Sequence, residues 1–540
     1  MGAARAAARG QAPQRRGHRG ASRLKQRPVN GNLYERLCGQ AAADRPFARQ
    51  AGRGAISYAA MDLRSAQYAN ALLDLGVQPG DRVLVQAEKS AEAILLYLGC
   101  LRCGAVYVPL NTAYTSAELE YYIGDAQPRV VVCKPARMGA VLPQARRLGV
   151  AHVVTMGGAE HAGSLLERAD LCDTRCPNAE RDATEVAAII YTSGTTGRAK
   201  GAMLTHANLA ANAFALKAGW RFTPQDVLLH ALPLFHIHGL FVAVNVTLAA
   251  GASLLVLPAF EVESVVQNLP AASVYMGVPT HYVRLLQHRR LDRGLTANVR
   301  LFVSGSAPLL PDTHAEWLSR TGHSILERYG MSETGIIASN PYGGERIAGT
   351  VGLPLPGVAV RVVDPDNGAP VPVGQTGMLE VKGPNVFAGY WRMPDRTQAE
   401  FRADGYFVTG DVGRFDARGY LSIVGRSKDL VITGGFNVYP REVEAELDAL
   451  AGVAESAVFG VPHPDFGEGV TAVVVARGPL AAEPLLAQLR QRLAGYKIPK
   501  RILVVAELPR NSMGKVQKSA LREQYADLYQ PASGPRSVPT

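Results

Sequence analysis

The residues 191–208, YTSGTTGRAKGAMLTHAN, concentrate the side chains of this chain best suited to chemistry. Gly194, Gly197 and Gly201 alternate there with the hydroxyls of Thr192, Ser193, Thr195 and Thr196, and Lys200 stands near the end. Small residues let the backbone come close to a ligand, and hydroxyls with free N–H groups surround phosphate oxygens well. Lys200 would add a mobile positive charge. The spacing is not that of a Walker loop, because no Gly-Lys-Ser/Thr follows a first glycine at the required distance. Taken alone, the run describes a flexible surface loop equally well.

The apolar run 186–190 ahead of this loop reads as a buried strand. Upstream, 63–75 has helical apolar spacing, 82–86 reads as a strand, 90–101 as a helix and 105–109 as a further strand. Strand patterns recur at 130–133, 152–155, 226–232, 274–279 and 301–304, and 280–287 reads as a helix. Strands alternating with helices predict parallel sheet covered by helices. From 349 to 425 short strands lie between glycines, which predicts a small all-β, barrel-like unit. The predicted fold class is α/β. A large N-terminal domain holds two mostly parallel sheets flanked by helices plus the β-barrel-like unit, and a small mobile α+β C-terminal domain follows. The expected division is a disordered basic extension at 1–31, the large domain at 32–427, the mobile domain at 428–527 and a disordered tail at 528–540.

At 540 residues the chain is long enough for two or more cores. The net charge of +11 resembles a nucleic-acid footprint until it is located: residues 1–30 hold seven Arg, one Lys and no acid, leaving +3 for the remainder. The body therefore has no basic surplus that calls for an acidic polymer, and no nucleic-acid partner is expected. The N-terminal segment lacks the apolar core of a secretory signal; its Arg-rich, acid-free character leaves a mitochondrial transit peptide or a disordered extension open. Cys100 and Cys103 are spaced C-x-x-C inside an apolar helical run and read as buried thiols, and with six cysteines in all, a reduced cytoplasmic setting is expected. The apolar stretch 239–260 is long enough to span a bilayer, but Asn245, Thr247, Ser253 and an Ala-Ala-Gly break predict a buried helix, a turn and a buried strand instead.

Six segments carry a resemblance: the glycine-rich loop, GSAP at 305–308, YGMSET at 329–334, YFVTGD at 406–411, GRSKD at 425–429 and LPRNSMGK at 508–515. In this order they resemble the adenylate-forming enzymes, in particular the acyl-CoA synthetase branch, over about residues 32–525. The resemblance implies a two-step ligase. A carboxylate attacks the α-phosphate of ATP to give an acyl-adenylate and diphosphate, and the thiol of coenzyme A then takes the acyl group. Attack by a carboxylate on a phosphate requires charge neutralisation at the α-phosphate. Lys515 matches the family lysine that supplies it. Thr195 and Glu333 match the ligands of Mg²⁺, which needs hard oxygens. Thr192, Ser193, Gly194, Thr196, Gly197 and Lys200 are implied contacts of the phosphates. Ser306, Ala307, Pro308, Tyr329 and Gly330 are implied walls of the adenine, with Met331 and Thr334 beside them. Asp411 matches the ribose-hydroxyl acceptor and Arg426 the next ribose or phosphate contact. Lys428 matches the hinge about which the C-terminal portion turns between half-reactions, bringing Gly434 and Gly435 to line the thiol tunnel and withdrawing Lys515.

Two stretches bear on the acid. FHIHGLF at 235–241 and MGVPTHYVRLL at 276–286 are similar to the matching segments of malonyl-CoA synthetases. Arg284 offers a fork of donors to a second carboxylate, and Thr280 shares its helix face. Were that guanidinium buried, an alkyl acid would leave it unpaired at a cost of roughly 3–5 kcal/mol. His238 and Ser304 complete the expected acyl site and His236 reads as a structural histidine, with the reverse assignment of the two histidines open. Malonate is the expected acid. Open beside it are a medium- or long-chain fatty acyl-CoA synthetase, a carrier-loading adenylation domain, and a non-catalytic nucleotide-binding protein.

Overall fold

The computed structural model describes Gly2 and residues 30–39, 41–50, 54–157, 162–193, 199–307, 309, 311–364, 367–426, 431–438, 440–509 and 516–530. Two sheets form the large domain. A six-stranded sheet runs His152–Thr155, Val130–Cys133, Arg82–Gln86, Val106–Pro109, Val186–Ser193, Ala199–Thr205 across its width, parallel except for the last pair. A nine-stranded sheet has Val227–His230, Val274–Gly277 and Leu301–Ser304 near its centre in parallel, with antiparallel strands at both edges. Strands such as Val130–Cys133 and Leu301–Ser304 are buried at every residue and, Ser304 apart, apolar, because helices cover both faces of a parallel sheet.

The helix Ala91–Arg102 is buried along its whole length, and Ser90 caps it by accepting from Ala93 N. Cys100 and Cys103 lie inside this packing as buried thiols. The long apolar stretch does not span anything. It forms a π-helix, His238–Val244, running into the α-helix Asn245–Ala250; Gly251 in the left-handed region ends it, and strand Ser253–Val256 follows. Gly239 is obligatory at the start, since a Cβ there would stand 2.0 Å from the Pro233 carbonyl oxygen. Among the described residues no helix is long and apolar enough to cross a membrane.

The all-β unit is a four-stranded antiparallel sheet, Ala359–Val363, Gly377–Lys382, Phe407–Phe415, Leu421–Arg426. The C-terminal portion has its own core, in which helices Pro440–Asp448 and Ala482–Arg492 cover the hairpin Val453–His463 and Gly467–Ala476. It touches the large domain at defined points. Lys497 Nζ lies 2.9 Å from Glu118 Oε1 of the large domain and 2.6 Å from Glu442 Oε1. Thr115 Oγ1 donates to the Arg492 carbonyl at 3.0 Å.

Candidate active site

The glycine-rich motif is the tip of a hairpin. Strands Val186–Ser193 and Ala199–Thr205 pair in register from Val186–Thr205 to Ser193–Ala199, so the sheet holds both ends of the loop. Residues 194–198, with Gly194, Thr195, Thr196 and Gly197, lie outside the described residues, as do Pro308, Lys428 and Lys515. Lys200 is fixed where the sequence reading expected mobility. It is buried, its ammonium stands 2.9 Å from Glu400 Oε1, and it lies 4.1 Å from the centre of the Tyr390 ring.

Thr192 and Glu333 meet across 141 positions of sequence: Thr192 Oγ1 donates to Glu333 Oε1 at 3.2 Å. Tyr390 OH donates to the same oxygen at 3.2 Å. Glu333 reaches this place through a tight turn, residues 332–334, that connects strands Leu326–Met331 and Gly335–Ser339. Gly330 is required there, because a Cβ would fall 2.0 Å from the Gly335 carbonyl oxygen. Thr334 is fully buried and its hydroxyl donates to Gly335 O at 3.0 Å, so it holds the turn. Met331, Glu333, Thr192, Tyr191 and His236 line one small cavity, and Phe436 and Tyr496 of the C-terminal portion close it. A carboxylate and hydroxyls are hard oxygen donors and fit Mg²⁺, which Glu333 with the loop hydroxyls would hold.

Tyr329 leaves its strand on the side of Asp411 and donates its phenol proton to that carboxylate. Asp411 and Arg426 are direct partners across strands Phe407–Phe415 and Leu421–Arg426, which explains how two successive motifs come together. Ser306 adopts the left-handed region at φ 71° and its hydroxyl is 3.4 Å from His238 Nδ1. Ala307 follows it, half-buried.

A second cavity, of about 690 Å³, opens beside the first, with Thr280, His281 and Arg284 on one wall. Lys89 and Phe260 face it from elsewhere in the large domain, and Thr433, Gly434, Phe466 and Lys500 come from the C-terminal portion. Gly435 approaches the large domain closely: a Cβ would meet Val278 at 3.1 Å. Thr280 and Arg284 do share the cavity wall, but Arg284 is exposed. The selectivity attached to a buried guanidinium at this position therefore does not hold; water screens the charge.

The two histidines differ in place. His236 lines the small cavity, whereas His238 is buried at 1% exposure with its Nε2 unpartnered among the described residues. Burial, and after it the Arg328 guanidinium, push His236 down to about 4 and keep His238 well below the usual histidine range. Both imidazoles are neutral at physiological pH. Ser304 is buried at the end of its strand with its hydroxyl also unpartnered among the described residues. Three cations here were not singled out from sequence. Lys89 donates to the His230 carbonyl at 2.8 Å and burial holds its ammonium well below the usual lysine range. Lys497 bridges the two portions, and Arg328 is buried behind the site. A charged pair inside an otherwise apolar short strand, Glu327-Arg328, was a signal for the last; Lys497 carried none.

Comparison with known proteins agrees with this geometry. Residues 35–391 match the model of the AMP-binding enzyme family and 442–515 that of the AMP-binding enzyme C-terminal domain. The chain belongs to the AMP-binding enzyme family, as an AMP-forming acyl-CoA ligase whose substrates are ATP, coenzyme A and a small carboxylate. Within it the chain is similar to malonate–CoA ligases. It is 38% identical over 477 residues to the mitochondrial malonate–CoA ligase of Mus musculus, covering 81% of this chain and 79% of that one. ATP-bound MatB from Rhodopseudomonas palustris is 53% identical with a TM-score of 0.74, covering 93% of this chain and 100% of MatB. A feruloyl-CoA synthase from Amycolatopsis sp is 36% identical over 483 residues, covering 88% of this chain and 95% of the synthase.

Proposed function

We propose that this ligase converts malonate, ATP and coenzyme A to malonyl-CoA, AMP and diphosphate. The carrying observation is the cavity beside the nucleotide motifs, whose described lining holds the cations Arg284 and Lys500 against the single acid Glu88. The names of relatives at 36–38% identity, malonate–CoA ligases of mouse and human, support the same acid, while the feruloyl-CoA synthase shows that ATP motifs alone do not choose it.

The residues divide the work as follows. Thr192 and the loop hydroxyls hold the β- and γ-phosphates that leave as diphosphate. Asp411, held by Tyr329, takes the ribose hydroxyls. Mg²⁺, when bound at Glu333, supplies neutralisation of phosphate charge. Lys515 bridges the carboxylate and the α-phosphate in the first half-reaction. The C-terminal portion, turning about Lys428, then places Gly434 and Gly435 along the path of the thiol. The contact of Gly435 with Val278 and the position of Gly434 on the larger cavity support assigning the present arrangement to the thioester-forming state. The proposed setting is the cytoplasm, with mitochondrial import through residues 1–31 as the alternative; fractionation of cells carrying the full chain decides between them. The substrate test is coenzyme A-dependent AMP formation on malonate, methylmalonate, acetate and octanoate side by side. Preference for octanoate would remove malonate, put a fatty acyl-CoA synthetase in its place and leave the ligase standing.

A further inference from the structure

Lys89 stands where the two sheets of the large domain meet. It follows strand Arg82–Gln86 of the six-stranded sheet and precedes Ser90, the cap of the buried helix Ala91–Arg102. The turn between them is held in place, since Ala91 N donates to Gln50 Oε1 at 2.9 Å. From there the Lys89 nitrogen crosses to the nine-stranded sheet and donates to the carbonyl of His230, the last residue of strand Val227–His230, at 2.8 Å. Both attachments lie at the carboxyl ends of parallel strands, where the crevices of α/β sheets take their ligands.

Lys89 lines the cavity of about 690 Å³, and among the described residues no carboxylate pairs with it. Its neighbour Glu88 is exposed and turned to Lys134 at 3.5 Å. An amine enclosed against a carbonyl, with no anion to offset its desolvation, is stabilised in the neutral form. Burial accordingly holds it well below the usual lysine range, and its lone pair is open to a proton. The other titratable groups on the wall are unsuited to that task. His281 is stacked on Phe260 with ring centres 3.7 Å apart, its Nδ1 lies 3.0 Å from Tyr275 OH, and burial pushes it down to about 3. Arg284 is a permanent cation. Lys500 stands 4.4 Å over the Phe466 ring in a cation–π contact. Burial raises the Tyr496 phenol well above its ordinary range.

Thioester formation needs a thiolate, and an ordinary thiol is ionised to only a few per cent at about pH 7. We propose that Lys89 is the general base of the second half-reaction, taking the thiol proton of coenzyme A as the sulfur approaches the acyl-adenylate. The S–H bond breaks to Lys89 Nζ, the sulfur forms the C–S bond to the acyl carbon, and the bond from that carbon to the phosphate oxygen breaks, releasing AMP. The ammonium so formed loses its proton to water through the open cavity. This rests on the reading that the cavity, with Gly434 on its wall, carries the thiol; it does not depend on which acid is activated.

The test is single-turnover on the full-length enzyme. Adenylate is formed first with pyrophosphatase present and then chased with coenzyme A between pH 6.5 and 9, in wild type, K89M, K89Q and A259W. K89M is expected to slow the chase about 100-fold at pH 7 and to leave diphosphate release within about threefold. Its rate should climb about tenfold per pH unit toward the thiol's own value, while the wild type stays nearly level, and added methylamine should restore part of the thioester rate. K89Q, whose amide still donates to the His230 carbonyl but takes no proton, should behave alike and covers the case in which K89M does not fold. Equal slowing of both half-reactions, or a chase deficit that is the same at every pH and indifferent to methylamine, would overturn the role of Lys89 and leave it structural. A259W brings an indole into the cavity from an exposed position and should block the chase. An unimpaired chase in A259W would instead overturn the reading of the cavity beneath the proposal.

Discussion

Replacing Lys497 by methionine isolates the contact between the two portions of the molecule. The ammonium is 1% exposed and lies between Glu118 at 10% and Glu442 at 15%, with the Tyr114 ring centre 4.7 Å away. Burial opposes its charge, but Glu442, the flanking tyrosines and Glu118 outweigh that and hold it well above the usual lysine range. Glu118 has a second duty: its other oxygen accepts from Thr115 N at 3.0 Å and closes the capping box of helix Ser116–Ala126. The pair is thus anchored on a rigid element. Glu442 and Lys497 belong to the same portion and travel together, so of the two ion pairs the Glu118 bond is the one that crosses to the large domain. Breaking a buried pair costs about 3–5 kcal/mol; with part of that retained through Glu442, roughly 2–3 kcal/mol falls on the orientation itself. That is on the order of a 30- to 150-fold drop in its population. The assay is single-turnover: adenylate is formed from ATP and malonate with pyrophosphatase present, and a coenzyme A chase then reads thioester formation. K497M should slow the chase by this factor and leave diphosphate release within about threefold. E118Q should show the same division in milder form. Equal slowing of both half-reactions would refute the reasoning.

Lys515→Ala should abolish adenylate formation while supplied acyl-adenylate is still converted to thioester, measured by separate half-reaction assays. D411N should lower kcat/KM for ATP about 10- to 100-fold with little change in the acid preference, since Asp411 is buried and held by Tyr329 on the nucleotide side. K200M should cost about 2–4 kcal/mol of stability, read as a lower urea midpoint, because Glu400 and Tyr390 lose their shared cation. Acid should destabilise the fold through its buried neutral histidines. Burial lowers His206 and His236 to about 4, so the unfolded chain binds more protons between there and 6.5; stability is full above that value and is lost as pH falls through the window. Each contributes at most about 1.4 kcal/mol per pH unit, and denaturation midpoints at pH 7.5 and 5 measure it.

Much of the fold was legible because its rules are local. The short apolar runs at 130–133 and 301–303 announced parallel sheet, and the Ala-Ala-Gly break correctly turned the apolar stretch at 239–260 into helix, turn and strand. The motifs announced which residues would gather, and the register of Asp411 with Arg426 shows how two of them do. What sequence did not disclose is long-range pairing. Lys200 read as a mobile loop charge because Glu400 lies 200 positions away, and Glu118 stands 379 positions from Lys497. Arg284 read as the contact of a second carboxylate, and on its helix, Pro279–Leu286, it stands exposed at the open cavity. Arg328 was passed over beside the tyrosine of its motif, since the room for its guanidinium is made by Gly305 after the neighbouring strand.

The central claim is that this molecule joins a dicarboxylic acid to coenzyme A through an adenylate. Its most direct test is AMP formation by the purified full-length enzyme with malonate, acetate and octanoate at equal concentration, with and without coenzyme A. The account predicts coenzyme A-dependent AMP release with malonate, at least about 100-fold above acetate and octanoate in kcat/KM. Equal or greater turnover of acetate or octanoate would contradict it.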